Sequence, residues 1–375
     1  MTISWPQAAA WRARQHFLHR RAPSTSLLKV ASRLCGLHAQ LLSSAELSAW
    51  ARITNLDRSA VRRALWDDRS LVKTWAMRGT LHLLPASEYA LWSAALATSP
   101  RYLREHQWKK HFGLSLDDLE RLNETAGTVL EGRLLTRDAL AAAVAAALGD
   151  EPFAAKIAAS SWGTVLKPAA FTGRLCFGPN AGSRVQFTNP KTWLAASAPA
   201  VDPVAATREV TRRFLRAYAP ATYHDFARWW AGAMATIRRW IEALGDEVRS
   251  IDVNGTQAWM LGSDARAVRR VVPSRSVRLL PAFDPYVVGS SHHAERLMPG
   301  PFRKRVFRQQ GWISPVLLVD GRMEGVWRHE FVRSKVRVVI EPFVRQPTWV
   351  KRAAGDEAEK LAEFLGGSAH LRWRG

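Results

Sequence analysis

The pattern of hydrophobic and polar positions repeats one outline, two helices followed by two strands, along most of the chain. In the first copy, apolar residues recur at helical spacing through "AELSAWARI", and Asp57 is the expected N-cap of a second helix over residues 58–66. The segments "LVKTWAM" and "TLHLL" then predict a hairpin that turns at Arg78 and Gly79. This order of elements is typical of a helix-turn-helix followed by a β-wing.

The same outline appears twice more. In the second copy Thr136 is the expected cap of the helix "RDALAAAVAAAL", and "RLCFG" and "RVQFT" form the wing. In the third, Thr222 caps "YHDFARWWAG", "ATIRRWIEAL" is the second helix, and "VRSIDV" and "QAWML" meet at Asn254-Gly255, a strong hairpin turn. The copies recur at roughly 75 to 90 residues, which is too long a period for a solenoid repeat, and they favour tandem winged helices.

From about Val277 the pattern changes to short apolar runs at the regular turn spacing of a small antiparallel sheet or barrel, and a last helix is expected over residues 355–365. The sequence therefore predicts an α+β fold of three tandem winged-helix units followed by a small C-terminal β-barrel. We expect the winged-helix units at residues 1–100, 101–195 and 196–272, and a barrel with a basic hairpin and a C-terminal helix at residues 273–375.

The net charge of the chain indicates which class of partner it binds. The 375 residues carry 54 Lys+Arg against 32 Asp+Glu, a net charge of +22, and this favours a polyanion such as nucleic acid. An arginine-rich composition of the whole proteome is the alternative. No apolar run is long enough for a membrane span and no secretory signal is visible, so we expect no membrane partner and a cytoplasmic protein.

Metal-dependent chemistry is not indicated. The two cysteines, Cys35 and Cys176, lie far apart, and neither belongs to a ligand spacing such as CxxC. No HExxH segment occurs either. We therefore expect no metal ion and no organic cofactor.

The segment "GLHAQL" places two polar side chains, His38 and Gln40, two residues apart in an apolar frame. Gly36 is a good helix stop after "SLLKVASRLC", so residues 37 to 41 should be extended or turned. In extended chain, residues i and i+2 share a face, whereas in a helix they would point about 200° apart. The pair could serve chemistry, or it could be satisfied polarity beneath the first winged helix.

Four longer segments occur in one order between about residues 25 and 350: "KTWAMRGTLHLLP", "SSWGTVLKPAAFTGRLCFGP", "LLPAFDPYVVG" and "GWISPVLLVDGRMEGVWR". They resemble the signature stretches of the AlkZ/YcaQ-type winged-helix DNA glycosylases. The resemblance implies three tandem winged helices and a C-terminal β-barrel that together form a concave DNA-binding scaffold. It also implies excision of N7-alkylguanine lesions, including bulky adducts and crosslinks such as those of DNA-alkylating natural products.

The family's catalytic motif is Gln-x-Gln in one branch and Gln-x-Asp in another, and it aligns with "HAQ". The resemblance thus implies that His38 and Gln40 are the catalytic pair, with His in the place of the first Gln. An N7-alkylguanine is already cationic and leaves as a neutral base, so no strong acid is needed. We hypothesise that neutral His38 accepts a proton from the attacking water while the Gln40 carbonyl helps to hold that water.

Basic side chains on predicted recognition helices, turns and the basic hairpin are the candidate DNA contacts. They are Arg58, Arg62, Arg63, Arg78, Arg238, Arg239, His292, His293, Arg303, Lys304 and Arg305. Solvated helix faces and loops are the alternative for each group, and His82 is favoured as a core histidine. Asp284 in "FDPY" either positions water or, as is more common for Asp-Pro, builds a turn.

Two further functions compete with a monofunctional, monomeric glycosylase acting on duplex DNA. A non-catalytic winged-helix transcriptional regulator would read one sequence and normally dimerise, whereas this chain carries three dissimilar units. An architectural DNA binder would need only the charge and the wings, and "HAQ" would then be incidental.

Overall fold

The structure is a computed structural model that describes residues 1–99, 105–149, 151–194, 199–273 and 275–374. The N-terminal elements are β1 Thr2–Ile3, α1 Trp5–Gln15, α2 Leu27–Arg33, β2 Leu37–His38, α3 Leu42–Trp50 and α4 Ala60–Trp66. The next elements are β3 Leu71–Trp75, β4 Leu81–Pro85, α5 Tyr89–Ala97, α6 Glu105–Phe112, α7 Leu116–Val129, β5 Leu135–Thr136, α8 Arg137–Leu148, α9 Glu151–Ala159, α10 Lys167–Phe171, β6 Cys176–Phe177, β7 Gln186–Thr188 and α11 Pro190–Trp193.

The remaining elements complete a mixture of helix and sheet that belongs to the α+β class. They are α12 Pro203–Tyr218, α13 Tyr223–Trp230, α14 Met234–Glu242, β8 Val248–Val253, β9 Thr256–Leu261, α15 Gly262–Arg269, β10 Val277–Leu280, α16 Pro285–Gly289, α17 Arg303–Val306, β11 Val316–Val319, β12 Arg322–Val332, β13 Lys335–Pro342, α18 Thr348–Leu365 and β14 Ser368–Trp373. Throughout the part of the chain that is described, no helix is both long and apolar enough to cross a bilayer.

Side-chain caps fix the starts of several helices where the sequence predicts them. Thr136 accepts a hydrogen bond from the Ala139 N–H at the start of α8. Thr222 and Asp225 form a reciprocal capping box at the start of α13. The last helix is the exception, because α18 begins at Thr348 and not at residue 355.

The chain divides into two units, Met1–Val61 with Thr211–Gly375, and Arg62–Val210. In the second unit, antiparallel strands follow the order β4-β3-β6-β7-β5. Its core centres on Trp75, whose ring meets Phe177 edge-on at 4.7 Å and lies 5.9 Å from Phe187. Gly163, at φ 62°, approaches this indole so closely that an added Cβ would lie 2.6 Å from it, so only glycine fits there.

The first unit contains a three-stranded sheet in the order β1-β8-β9. The predicted hairpin is confirmed: β8 and β9 are antiparallel, and Asn254 and Gly255 between them both have positive φ, 46° and 82°. Both central residues of a type I′ turn require this conformation, which Asn and Gly tolerate best. The chain's first strand pairs in parallel with β8, and the Asn254 side chain accepts the Trp5 N–H at 2.9 Å.

The first unit also holds five strands in the order β10-β11-β12-β13-β14. They form an open sheet, so the closed C-terminal barrel predicted from the spacing is wrong for the described residues. The last strand, β14, pairs in parallel with β13, and α18 forms the crossover between them. A barrel of antiparallel strands would have no such parallel pair. The arrangement leaves β10 and β14 as the two edges of the sheet.

A buried ion pair joins the turn after α3 to the loop after β10. Both side chains are fully inaccessible, and the Arg52 guanidinium donates to the two carboxylate oxygens of Asp284 at 2.7 Å each. Ser48 donates a further bond to Asp284, which also accepts the Tyr286 N–H as the N-cap of α16. Asp284 therefore caps a helix and its carboxylate is engaged in structure, which favours a structural role over the positioning of water.

His16, just after α1, lies fully buried in the same unit. Its Nε2 is 3.1 Å from the Ala217 carbonyl, and its ring contacts Tyr218 and Tyr286 edge-on. Burial first, and then the charge of Arg52, hold the pKa of His16 well below its usual range. The imidazole is thus a neutral core group.

Breaking the buried ion pair should destabilise the protein strongly. Asp284→Ala leaves the Arg52 charge buried without its counter-ion, and we expect a loss of about 3–5 kcal/mol in the free energy of unfolding, measured by urea titration. The control is Glu330→Ala, which removes an exposed pair with Arg337 and should cost less than about 1 kcal/mol. Equal losses for the two variants would contradict the assigned importance of the pair.

Candidate functional site

The helix that precedes "HAQ" ends before this segment begins. Helix α2 ends at Arg33, and Cys35 and Gly36 then take positive φ values of 59° and 102°. The Gly36 N–H donates back to the Ala31 carbonyl at 2.8 Å, which closes the helix end. The next residues, Leu37 and His38, are extended, as predicted.

Burial alternates from Leu37 to Gln40, where a short strand is followed by a bend. Leu37 and Ala39 are fully inaccessible, whereas 5% of His38 is exposed and Gln40 is half-buried. Alternation with period two is what an extended chain produces when one face packs against the core. The pattern supports a common orientation of the two polar side chains, opposite to Leu37 and Ala39, although Leu41, 40% exposed, does not follow the alternation.

An aromatic row runs from His38 towards solvent. The imidazole stacks on the Phe283 ring with centroids 5.1 Å apart and planes inclined by 7°. Phe283 in turn meets the Trp312 ring edge-on, at 5.0 Å and 73°. Exposure rises along the row, from 5% at His38 through 8% at Phe283 to 40% at Trp312.

Phe283 is held in place by its backbone as much as by its ring. It has a positive φ of 58°, which a non-glycine residue adopts at a cost, and its N–H donates to the Ile313 carbonyl at 3.3 Å. The next residue is Asp284, which Arg52 locks from the other side. The buried ion pair therefore fixes the ring on which His38 rests.

The boundary between the two units falls within the first predicted recognition helix, so its basic residues belong to different units. Arg58, in the first unit, donates to the Leu365 carbonyl at 2.7 Å and so ties the chain to the end of α18. Arg62 and Arg63 belong to the second unit, where both are exposed on α4. Because a solvated position is what phosphate contact requires, both stay candidate DNA-binding residues.

The wing of the second unit places Arg78 in its turn, half-buried and at φ 60°. His82 on β4 is buried, and its Nδ1 is 3.0 Å from the Thr80 carbonyl. Burial, together with the charge of Arg78, lowers the pKa of His82 to about 3. The imidazole is neutral at physiological pH, as the core interpretation of His82 requires.

Helix α14 presents Arg238 and Arg239 to solvent while Ile237 and Ile241 face the core. The Arg238 guanidinium lies over the Tyr223 ring, 5.3 Å from its centroid. The two arginines therefore occupy the exposed face of a helix, which is compatible both with phosphate contact and with simple solvation.

His292 and His293 belong to a cluster with α13. The His292 ring stacks on His224 at 5.2 Å and 8°, and His293 Nε2 lies 3.2 Å from an Asp225 oxygen. Partial burial lowers the pKa of His292, with smaller effects of the same sign from His293 and His224, while Asp225 acts in the opposite direction. Within the described residues, no group of three or more His, Cys, Asp or Glu side chains could hold a metal ion.

The stretch from His292 to Trp312 is not the basic hairpin that the sequence predicts. It contains three short helical turns, and a single bridge between Phe307 and Ile313 is its strand pairing within the described residues. Two of its arginines are engaged: Arg303 donates to the Ser291 carbonyl and pairs with Glu295, and Arg305 pairs with Glu341. Lys304 is exposed.

The basic hairpin lies further along, at β12 and β13, whereas the sequence pattern predicts it after His292. Val332 pairs with Lys335 across a two-residue turn, Arg333-Ser334, and Arg333 has a positive φ of 56°. Next to the turn, Phe331 is 52% exposed. The signal in the sequence is the run "RHEFVRSKVR", in which basic residues recur close to one exposed aromatic side chain.

Comparisons with known proteins agree on one family. A family described as DNA glycosylase AlkZ-like matches residues 31–364. An interstrand DNA cross-link repair glycosylase of Streptomyces sahachiroi is 37% identical over 373 residues, 98% of each chain. The solved structure of the Streptomyces sahachiroi DNA glycosylase AlkZ superposes with a TM-score of 0.89 at 36% identity and covers all of both chains.

Proposed function

The chain belongs to the AlkZ-like DNA glycosylase family, and from this premise we propose that it hydrolyses the N-glycosidic bond of N7-alkylguanine in duplex DNA, with His38 and Gln40 as the catalytic pair. Glycosylase activity follows from the family; the lesion and the residue roles are our proposal. The observation that carries it is the exit of "HAQ" from the helix into a strand and bend, with His38 and Gln40 both more accessible than Leu37 and Ala39.

The proposed reaction is monofunctional hydrolysis. A water oxygen attacks C1′ of the sugar while the C1′–N9 bond breaks, and its electron pair neutralises the positive charge of the alkylated base. His38, in its neutral form, accepts the proton that the water loses, and the Gln40 carbonyl oxygen orients that water. The products are the free base and an abasic sugar, and the step requires no metal or organic cofactor.

The proposed lesions include bulky ones. One relative bears the name interstrand DNA cross-link repair glycosylase, and we extend that role to this chain, with bulky N7 adducts and crosslinks of DNA-alkylating natural products as substrates. A producer of such compounds would use the enzyme for self-resistance. We further propose that it works as a monomer in the bacterial cytoplasm, at the nucleoid.

The scaffold is proposed to be three tandem winged helices, with units at residues 1–100, 101–195 and 196–272, followed by residues 273–375. Support comes from the repeated order of two helices and a hairpin, seen in α3, α4, β3 and β4 and again in α13, α14, β8 and β9. A sequence-specific regulator built from such units would normally dimerise, and family membership favours the enzyme.

DNA contact is proposed for the β12–β13 hairpin together with the basic residues predicted from sequence. The hairpin extends to an exposed Phe331 and carries Arg333 and Lys335 at its turn. An apolar wedge flanked by cations is the combination that enters a DNA groove. The net charge of +22 supplies the long-range attraction.

Removing either catalytic side chain should abolish most excision without loss of DNA binding. His38→Ala and Gln40→Ala are expected to lower the single-turnover rate by about 100-fold or more, the usual range for a positioned acid–base group. The measurement is release of free 7-methylguanine from a duplex, quantified by chromatography. Binding to the same duplex should change by less than about threefold, since neither group pairs with phosphate.

The matched control is His370→Ala, which removes an exposed histidine on β14 and should excise at the parent rate. Variants of His38 and Gln40 that also keep the parent rate would rule out the catalytic assignment. Wild-type protein that binds alkylated duplex but releases no base would remove the lesion class as well.

Neutralising the turn of the β12–β13 hairpin should weaken binding and reduce its dependence on salt. For Arg333→Gln with Lys335→Gln, the slope of log K against log salt concentration should become shallower by about 0.9 for each phosphate that the protein no longer neutralises. Fluorescence anisotropy on a labelled duplex between low and moderate salt measures this slope.

The control exchanges another exposed basic pair, Lys351 and Arg352 on α18, for glutamine, with the same loss of net charge. A purely non-specific charge effect would lower both slopes equally and would contradict a role for the hairpin turn.

A further inference from the structure

The aromatic row that begins at His38 ends in an unusually exposed tryptophan. Among the tryptophans whose side chains the structure describes, Trp312 alone is exposed, at 40%. A large indole is normally buried because it removes more apolar area from water than other side chains. Its place at the outer end of a row that begins at the proposed catalytic imidazole puts an accessible indole where a ligand could meet it.

The backbone around both outer members of the row is strained. Phe283 has a φ of 58°, and Gln310, two residues before Trp312, has a φ of 55°. Such conformations cost energy for non-glycine residues and persist where the surrounding structure enforces them, which is common at functional sites. Here the two strained loops are also bonded to each other, since the Phe283 N–H donates to the Ile313 carbonyl.

The ring geometry indicates different roles for Phe283 and Trp312. Phe283 lies nearly parallel to the imidazole and covers one of its faces, so it restricts how the His38 ring can rotate. Trp312 is steeply inclined to Phe283, at 73°, and reaches solvent. One residue can therefore orient the imidazole and the other can meet a ligand.

We propose that Trp312 stacks on the alkylated purine and determines specificity for it, and that Phe283 is a positioning residue that orients His38. This inference rests on the proposed function. An N7-alkylguanine is a planar cation, and an indole face attracts planar cations more strongly than neutral rings. Trp312 would thus favour the damaged base over undamaged guanine. Stacking is tolerant of substituents, which suits adducts of differing size.

The experiment is single-turnover release of 7-methylguanine from a duplex at several enzyme concentrations, which separates the maximal rate from the half-saturating concentration. Trp312→Ala should raise the half-saturating concentration about 10- to 100-fold, because it removes base stacking. Trp312→Phe should recover most of the affinity, and Trp312→Leu, which is apolar but has no π face, should not. Trp349→Ala, at a half-buried tryptophan on α18, is the control and should match the parent.

Phe283→Leu should lower the maximal rate at least about tenfold and leave the half-saturating concentration within about threefold, and Phe283→Tyr should restore the rate. In the His38→Ala background, Phe283→Leu should have no further effect on the rate, because a positioning residue acts through the group it orients. This comparison of single and double variants stays informative if Phe283→Leu also loses stability, since the rates of the variants are compared at equal folded fraction.

Outcomes separate the inference from the proposed function. If wild type releases no base, the proposed function fails. If wild type is active but Trp312→Ala equals the parent, or if Leu restores binding as well as Phe does, the stacking role is wrong. If Phe283→Leu slows the His38→Ala enzyme as much as the parent enzyme, its role is structural and the positioning assignment is overturned.

Discussion

The buried pair of Arg52 and Asp284 is the interaction on which the rest of the first unit depends. Burying two charges costs solvation energy, which close pairing and further hydrogen bonds offset. Here the Asp284 carboxylate accepts hydrogen bonds from the two terminal guanidinium nitrogens of Arg52, from the Ser48 hydroxyl and from the Tyr286 N–H. Because the pair joins the turn after α3 to the loop after β10, it connects the segment that carries "HAQ" with the segment that carries the aromatic row.

The site follows from that constraint. Asp284 is locked, so Phe283 is held at a positive φ with its ring against His38. The same loop bonds to the backbone after Trp312, which places an exposed indole at the outer end of the row. In structural terms, an interior ion pair supports the loop on which the His38 ring rests, and an exposed indole lies at the outer end of the row. A substrate that is already positive, and needs only an activated water, suits that combination.

Local signals predicted much of the fold. Thr136 and Thr222 cap the helices that follow them, and Asn254-Gly255 turns the hairpin, because each signal acts within a few residues. The failures are nonlocal. Sheet closure depends on which strand pairs with β13, and the chain supplies β14 in parallel only after α18. The basic stretch after His292 forms helical turns in which Arg305 pairs with Glu341 on β13, a partner too far along the chain for a local pattern to predict. For the site, spacing and family resemblance selected His38 and Gln40, whereas Phe283 and Trp312 join the row only through tertiary contacts far along the chain.

The central claim is that a neutral imidazole at position 38 takes the proton of the attacking water. The most direct test is the pH dependence of single-turnover base release by the wild type and by His38→Gln, which restores the Gln-x-Gln pattern of the family. The wild-type rate should fall as the pH is lowered, because protonated imidazole cannot accept a proton, and His38→Gln should retain activity with no such fall. An identical acid limb in the two proteins, or a wild-type rate that is independent of pH, would contradict the account.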